Sequence, residues 1–148
     1  MKINIFGYNI FAKGGTSRSN INLVKSLLEI GHEVHYFNYQ DYNKSDITKL
    51  IIYEGLSTKH LHIHQFNSGK ELAHGDLLII TRETFFNHAY LVKKINSKIK
   101  IVGEIHGPLE YINENIDLAL DCIDCVRVST ARIKNEFIAK YDYHRVFN

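Results

Sequence analysis

Short apolar segments alternate with amphipathic segments along the whole of this 148-residue chain. Six apolar segments have the length and the Ile, Val and Phe content typical of β-strands, namely residues 3–10, 34–39, 60–66, 76–81, 99–106 and 125–129. Apolar residues at helical spacing predict helices at residues 17–30, 45–53, 87–95, 113–120 and 131–141. This order predicts an α/β fold, a three-layer, Rossmann-like, doubly wound parallel sheet of about six strands with helices on both faces.

The length and composition fit a single globular domain and exclude several classes of protein. Hydrophobic residues make up 45% of the chain and charged residues 23%, with one proline and no linker-like segment. The net charge of +2 is too small to indicate a nucleic-acid partner. No apolar run approaches the roughly 20 residues of a membrane span, and the N-terminus lacks the cleavage region of a signal peptide. We therefore expect a cytoplasmic protein.

Residues that suit ligand binding follow four of the predicted strands. In doubly wound sheets, ligands bind beyond the carboxyl ends of the strands, near the point where the strand order reverses. The residues at this edge are Gly14–Ser17 after the first strand, Thr81–Glu83 after the fourth, Glu104–Gly107 after the fifth, and Ser129, Thr130 and Arg132 after the sixth. Glycines, arginines, carboxylates and a histidine thus converge, which predicts a binding site.

The Gly14-Gly15 pair lies between the first strand and a helix that Thr16 or Ser17 would cap. Free backbone N–H groups and the helix dipole at such a position favour an anion. The surrounding sequence contains neither the dinucleotide-binding fingerprint nor a P-loop. A plain tight turn is the alternative explanation for the two glycines.

Four stretches of the chain occur in an order that is typical of one family of enzymes. They are MKINIFGYNI with its glycine loop GGTSRSN, the turn GHEV, the stretch EIHG, and the sequence VST near the end. In this order they resemble the N-terminal, acceptor-side domain of GT-B glycosyltransferases, most closely the retaining family 4. The resemblance implies that residues 1–148 form a single Rossmann-like N-terminal domain, one lobe of a GT-B fold. The family's donor-binding half has no counterpart in this chain, so we expect that C-terminal domain to be absent from it.

The resemblance also implies a reaction and a set of partners. Such an enzyme transfers a hexose from a nucleotide-sugar donor to a glycan, lipid-linked or protein acceptor, as in cell-surface glycan assembly. The parent protein is then a glycosyltransferase, whereas the isolated domain is expected to be inactive. The C-terminal lobe of the same protein is the expected partner, with peripheral association at the inner membrane face and self-association as further expectations. No nucleic-acid partner is expected.

On the donor side, the resemblance assigns roles to two glycine-containing segments. Gly14, Gly15 and Thr16 match the loop that approaches the donor's diphosphate and reacting sugar, and Gly107 belongs to the same donor-binding set. His106 matches the histidine that hydrogen-bonds the transferred sugar near the reacting carbon, and its alternative is a structural histidine at a strand end. Glu104 lies on the same strand face as His106 and would orient it, and the alternative is that either residue is part of the buried structure.

On the acceptor side, three charged residues are candidates. Arg18 lies in the first turn of the predicted helix and faces either the acceptor or solvent. Arg82 and Glu83 would line the acceptor side, or simply pair with each other. The resemblance implies no metal and no cofactor, because backbone N–H groups and basic side chains stabilise the departing diphosphate.

Two further patterns have the appearance of metal or redox sites. His60, His62 and His64 would point to one face of a strand, but about 7 Å separates successive members, which is too far for three ligands of one ion. Cys122 and Cys125 form a CxxC pair that lies before a strand rather than at the start of a helix. We interpret the histidines as a half-exposed strand and the cysteines as buried thiols.

A different class of function fits the same strand ends. A non-catalytic, flavodoxin-like module could use them for a phosphate-containing ligand or for regulation. A receiver-type module would require an acidic cluster after the first strand, where this chain has Asn9 and Lys13.

Overall fold

A computed structural model describes all 148 residues and contains one seven-stranded sheet in which every neighbouring pair of strands is parallel. The strands are β1 (Lys2–Gly7), β2 (Glu33–Asn38), β3 (Leu61–Gln65), β4 (Leu77–Ile80), β5 (Lys100–Ile105), β6 (Cys125–Val128) and β7 (Val146–Phe147). Their order across the sheet is β3-β2-β1-β4-β5-β6-β7. The predicted α/β class and doubly wound parallel sheet are therefore confirmed.

Four α-helices cover the two faces of the sheet, namely α1 (Gly15–Ile30), α2 (Lys44–Glu54), α3 (His88–Ile95) and α4 (Ala131–Tyr141). Ile21 and Val24 of α1 belong to a core of 10 buried residues, against which α2 packs more loosely. Val92 of α3 and Phe137 of α4 belong to a larger core of 24 buried residues. The burial of these apolar helix faces against a central sheet accounts for the three layers.

The seventh strand is an addition to the predicted set. β7 has two residues, and Val146 pairs with Val126 of β6 at the edge of the sheet. Two residues are too few to show an alternation of apolar and polar positions. The segment is a strand because it pairs with β6.

The predicted helix at residues 113–120 is wrong. This segment is a series of turns, in which Asn113 Oδ1 accepts from the Asn115 N–H at 2.9 Å and Asp117 Oδ1 accepts from the Ala119 N–H at 2.9 Å. Ala119 has a left-handed backbone with φ of 50°. Short polar side chains that bond to nearby N–H groups compete with helical bonding, and this competition decided the local structure.

The first strand and the first helix also differ from the prediction at their junction. β1 ends at Gly7 rather than at residue 10, because Asn9 Oδ1 accepts from the Phe11 N–H and turns the chain. α1 begins at Gly15 with Gly14 at its N-cap, and no side chain caps it. Ser17, a predicted cap, instead donates its hydroxyl to the Asn9 carbonyl at 2.8 Å. At the other end Gly31 closes α1 with φ of 103°, as predicted.

The chain reverses its direction of travel across the sheet between β1 and β4, which are neighbours at its centre. The segments that leave these two strands separate toward opposite faces, so an open space forms beyond their carboxyl ends. No helix has the combination of length and apolar character that crossing a membrane requires.

Candidate functional site

An open cleft of about 340 Å³ lies beyond the carboxyl ends of the central strands. Its walls come from the segment after β1, the first turns of α1, and the segments after β4 and β5. Most of the lining is polar, and the residues are Tyr8, Asn9, Ala12, Thr16, Ser17, Asn20, Thr81, Arg82, Glu83, His106 and Gly107. The predicted site residues Thr16, Arg82, Glu83, His106 and Gly107 thus meet in one place.

Hydrogen bonds from two asparagines hold the segment after β1 in place. Asn38 at the end of β2 is fully buried, and its Oδ1 accepts from the Ile10 N–H at 2.8 Å. Its Nδ2 donates to the Gln40 carbonyl at 2.7 Å and to Asn9 Oδ1 at 3.3 Å. These bonds tie the wall of the cleft to the neighbouring strand. Sequence reasoning did not identify Asn38, whose only signal is an amide at the end of an apolar strand.

The N-terminus of α1 faces the edge of the sheet with unsatisfied backbone N–H groups. Gly14 has φ of 146°, a conformation that favours glycine. As the N-cap residue it has no side chain that could accept a hydrogen bond from the first turn. A Cβ at Gly15 would meet no atom within 4 Å, and the first turn of the helix contains no acidic residue. Four N–H groups at a helix start have no partner within the helix, and the dipole there is positive. This end of α1 is therefore suited to an anion, with Thr16 and Ser17 on the cleft side.

Asn20 presents an unpaired acceptor at the base of the cleft. Its Nδ2 donates to the Tyr36 hydroxyl at 3.0 Å and to Thr81 Oγ1 at 3.4 Å. Its Oδ1 is buried and has no hydrogen-bond partner, a state that costs free energy unless a ligand or a water donates to it. Burial raises the pKa of Tyr36, so the hydroxyl stays protonated at neutral pH. The sequence signal for Asn20 was an amide on the apolar face of the predicted helix, and the residue was missed.

His106, Glu104 and Arg127 form a hydrogen-bonded chain at the end of β5. Glu104 is 4% exposed, and its Oε1 lies 3.1 Å from His106 Nε2. Its Oε2 accepts from Arg127 Nη1 at 3.0 Å, across the direct register pair of β5 and β6. Glu104 therefore fixes the orientation of the His106 ring, and Arg127 compensates the buried charge. Arg127 was not identified from the sequence, because the pairing of β5 with β6 brings it to Glu104.

Arg82 and Glu83 line the cleft, but they do not pair with each other. The Arg82 guanidinium lies 4.6 Å from the centroid of the Tyr8 ring, a cation–π contact. Glu83 is half-buried and makes no ion pair. The cleft thus has a cation and a carboxylate on its wall after β4, each free of a charged partner.

Arg18 lies outside the cleft. Its guanidinium makes a bidentate pair with Glu54 of α2, with Nη1–Oε1 at 2.7 Å and Nη2–Oε2 at 2.9 Å. This pair holds the pKa of Glu54 down to about 2, with help from Lys25. Arg18 and Gly14 line a neighbouring groove of about 880 Å³ between α1 and α2. The two predicted site residues therefore border a second space rather than the cleft itself.

The predicted edge residues after β6 also lie apart from the cleft. The Thr130 hydroxyl accepts from the Ile133 N–H and caps α4, and Arg132 pairs with Glu136 at 2.9 Å. Thr130 and Arg132 line a separate cavity of about 430 Å³. Their positions follow from the fold, since β6 is two strands away from β4.

The CxxC pair has no feature of an activated thiol. Cys122 and Cys125 are both free and half-buried. Burial raises the pKa of the Cys125 thiol, and the neighbouring Asp124 charge raises it further. The thiolate that redox chemistry or zinc binding requires is therefore disfavoured. Histidines with metal-ligand spacing lie at the opposite side of the sheet, on β2 and β3.

Comparison with solved structures identifies proteins of the same fold. An alpha-glucosyltransferase in complex with UDP and a 13-mer DNA containing an HMU base matches with a TM-score of 0.64 and 14% identity, over 100% of this chain and 41% of that one. An alpha-glucosyltransferase (AGT) in complex with UDP matches with a TM-score of 0.59 and 15% identity, over 100% of this chain and 43% of that one. No protein-family model and no curated protein sequence matches the chain. The chain thus has the fold of one lobe of these enzymes and spans about two fifths of their length.

Proposed function

We propose that these 148 residues are the N-terminal, acceptor-side lobe of a glycosyltransferase that uses a nucleotide-sugar donor. The observation that carries this proposal is that Thr16 and Ser17, from the uncapped N-terminus of α1, line the same cleft as His106, whose ring is hydrogen-bonded to the buried Glu104. The likeness in fold to two UDP-bound glucosyltransferases supports it. The second, donor-binding lobe would be supplied by the remainder of the same protein, and the reaction would take place in the cytoplasm or at the inner membrane face.

The chain's own groups match the charges that develop during glycosyl transfer. As the bond between the sugar and the diphosphate breaks, negative charge grows on the leaving phosphate oxygens. The N–H groups of Gly15 and Thr16 lie at the positive end of α1 and would stabilise that charge without a metal ion. His106, held by Glu104, would hydrogen-bond the transferred sugar, so that its reacting carbon faces the acceptor. Asn20 Oδ1, which lacks a partner, would accept from a sugar hydroxyl or a bound water.

The acceptor would enter between the segment after β1 and the segment after β4. Arg82 and Glu83 offer a donor and an acceptor of hydrogen bonds at this wall, and a carbohydrate presents both kinds of group. We propose a glycan, lipid-linked or protein acceptor in cell-surface glycan assembly. One structural neighbour contains DNA, but the small net charge of this chain gives no argument for a nucleic-acid acceptor.

Titration of the ¹⁵N-labelled chain with UDP-glucose, followed by the backbone amide signals, tests the proposal. We expect weak binding, on the order of millimolar or about 4 kcal/mol, because the nucleotide is held mainly by the other lobe. The amides that shift should be those of Gly15, Thr16 and Gly107. Titration with UDP and with inorganic phosphate separates the contributions of the sugar and the phosphate.

Each outcome of the titration has a defined meaning. Shifts confined to the cleft and the first turn of α1, larger for UDP-glucose than for phosphate, would support the proposal. Equal shifts with phosphate and with UDP-glucose would favour a phosphate-binding module without transfer activity. Micromolar affinity for UDP-glucose would contradict the one-lobe interpretation, because the donor site would then be complete in this chain.

A further inference from the structure

A cluster of histidines lies on β2 and β3, which are on the opposite side of β1 from β4 and β5. Glu33 and His35 belong to β2, and His62 and His64 belong to the edge strand β3. One ligand atom from each of Glu33, His35 and His62 lies within 4.8 Å of the others. The proposed transferase chemistry uses none of these residues.

Sequence reasoning favoured a half-exposed strand over a metal site here, because it considered the spacing along a single strand. Successive histidines on β3 are about 7 Å apart, whereas neighbouring strands are about 4.8 Å apart. His35 is the register partner of His62, and their rings stack with centroids 4.5 Å apart. The cluster therefore forms across two strands, a relation that the spacing within one strand does not reveal.

We propose that Glu33, His35 and His62 form a binding site for a divalent transition-metal ion, Zn²⁺ in the first instance. Ligand atoms around a tetrahedral Zn²⁺ are about 3.3 Å apart. Glu33 Oε2 and His35 Nε2, which are 2.8 Å apart, would separate slightly to admit the ion. The exposed His62 ring would leave its stack on His35 and turn toward them. Water would complete the coordination on the solvent side.

The hydrogen bonds of His35 show how the ion would enter. Nε2 faces the Glu33 carboxylate, and Nδ1 lies 2.8 Å from His64 Nε2. Neutral His35 has a single ring proton, so the ion would bind at Nε2 of the tautomer whose proton lies on Nδ1. That N–H would then donate to His64, the arrangement that orients most metal-bound histidines. His64 would thus be a positioning residue rather than a ligand.

The side chains of the cluster indicate which kind of ion would bind. Neutral imidazole is the form of histidine that binds a metal ion, and the cluster offers two imidazoles and one carboxylate. Imidazole and carboxylate ligands suit Zn²⁺, Ni²⁺ and Cu²⁺ rather than Mg²⁺ or Ca²⁺.

Isothermal titration of the 148-residue chain with ZnCl₂, repeated with MgCl₂, tests this site. We expect one Zn²⁺ per chain, no binding of Mg²⁺, and a thermal midpoint that rises with Zn²⁺. The H35Q and H62Q variants should each bind Zn²⁺ at least tenfold more weakly, and H64Q should bind it about tenfold more weakly. Circular dichroism without metal establishes that each variant is folded.

Two control variants exclude other sources of Zn²⁺ binding. His60→Gln changes an exposed histidine that lies just before β3 and outside the cluster, and it should leave the affinity unchanged. Cys122→Ser removes half of the CxxC pair and should also have no effect. The proposal is overturned if H35Q and H62Q bind as the unmodified chain does, or if Cys122→Ser abolishes binding.

Discussion

Gly14 and Gly15 are neighbours with different structural requirements. Gly14 has a positive φ that a side chain would strain, so its own backbone conformation explains the glycine. Gly15 has ordinary helical geometry, and a Cβ there would meet no atom of the chain. Nothing inside the folded chain therefore requires a glycine at position 15. The close approach of a donor, as the proposed function expects, would give the glycine a purpose.

This difference predicts separate effects on stability and on binding for substitutions at Gly15. Gly15→Ala should unfold at the same or a slightly higher urea concentration, because alanine has a better helix propensity by roughly 1 kcal/mol. Gly15→Val should remain folded but lose the amide shifts that UDP-glucose causes. Urea unfolding and the NMR titration measure the two effects. Unchanged shifts in Gly15→Val would mean that the donor does not approach α1.

His106 is the side chain of the cleft with the most direct proposed role in the reaction. His106→Ala should lower the turnover of the complete transferase by more than tenfold, a loss of about 1.4 kcal/mol or more in transition-state stabilisation. His144→Ala is the control, since His144 is exposed and pairs only with Asp142. Steady-state kinetics with separate kcat and KM measure the effect. Kinetics of His106→Ala equal to those of His144→Ala would make His106 a structural residue.

Glu54 links α1 to α2 through ion pairs whose contribution to stability depends on pH. Arg18 and Lys25 lower its pKa from 4.5 to about 2 in the folded chain. The stabilisation is therefore fully present above pH 4.5, and it is lost as the pH falls toward 2. Glu54→Gln should be less stable at pH 7 and should lose less stability between pH 5 and pH 2.

Urea unfolding at several pH values, compared with the same series for Glu114→Gln, measures this effect. Glu114 is exposed and makes no ion pair, so its variant should follow the unmodified chain. Parallel stability curves for Glu54→Gln and the unmodified chain would show that the Arg18–Glu54 pair contributes no net stability, as many exposed ion pairs do.

At the scale of secondary structure, close packing between β5 and the segment before α3 determines the position of the cleft wall. Gly103 of β5 faces the ring of Phe86, and a Cβ at this glycine would overlap three ring carbons. Phe86 is fully buried in the larger core and lies just after Arg82 and Glu83 along the chain. The glycine therefore allows this wall to lie close to β5, beside Glu104.

Gly103→Ala should destabilise the chain by about 1–3 kcal/mol, because the added methyl group forces a buried ring to move. Gly107→Ala, four residues further on, is the matched control for stability. A Cβ at Gly107 would meet no atom within 4 Å. Urea unfolding monitored by circular dichroism compares the two variants, and equal midpoints would show that Phe86 moves without cost.

At the scale of the whole molecule, both hydrophobic cores depend on the same sheet. Ile79 belongs to the smaller core and Ile80 to the larger, so consecutive residues of β4 pack on opposite faces. Disruption of β4 would expose both cores together. We therefore expect the helices on the two faces to depend on each other for stability.

We expect the chain to unfold in a single cooperative transition. Far-UV circular dichroism and the fluorescence of its tyrosines should give the same urea midpoint, with a slope of roughly 1–3 kcal/mol per molar urea. Tyrosine fluorescence reports on both faces of the sheet, because Tyr36 lies in the smaller core and Tyr143 in the larger. Two separate midpoints would show that the faces unfold independently.

The sequence by itself determined the class of fold and the edge of the sheet at which the cleft lies. Burial of a parallel strand on both faces requires a nearly continuous apolar run, and Leu77–Ile80 shows that pattern in the sequence alone. Glycine and helix-capping signals are local, which is why Gly31 was predicted correctly as the end of α1. Thr16, Arg82, Glu83, His106 and Gly107 could be assigned to one edge because the carboxyl ends of parallel strands coincide there.

Only the tertiary structure decided which residues from distant parts of the chain are in contact. Arg127 reaches Glu104, and His62 reaches His35, because neighbouring strands bring together residues that are far apart in the chain. Pairing with β6 also makes Val146–Phe147 a strand, although its two residues show no periodicity. Strand register and helix position are set by packing of the whole molecule, whereas hydrophobic periodicity and turn chemistry are set by neighbouring residues. For this reason, the sequence located the cleft but not Asn20, Arg127 or the histidine cluster.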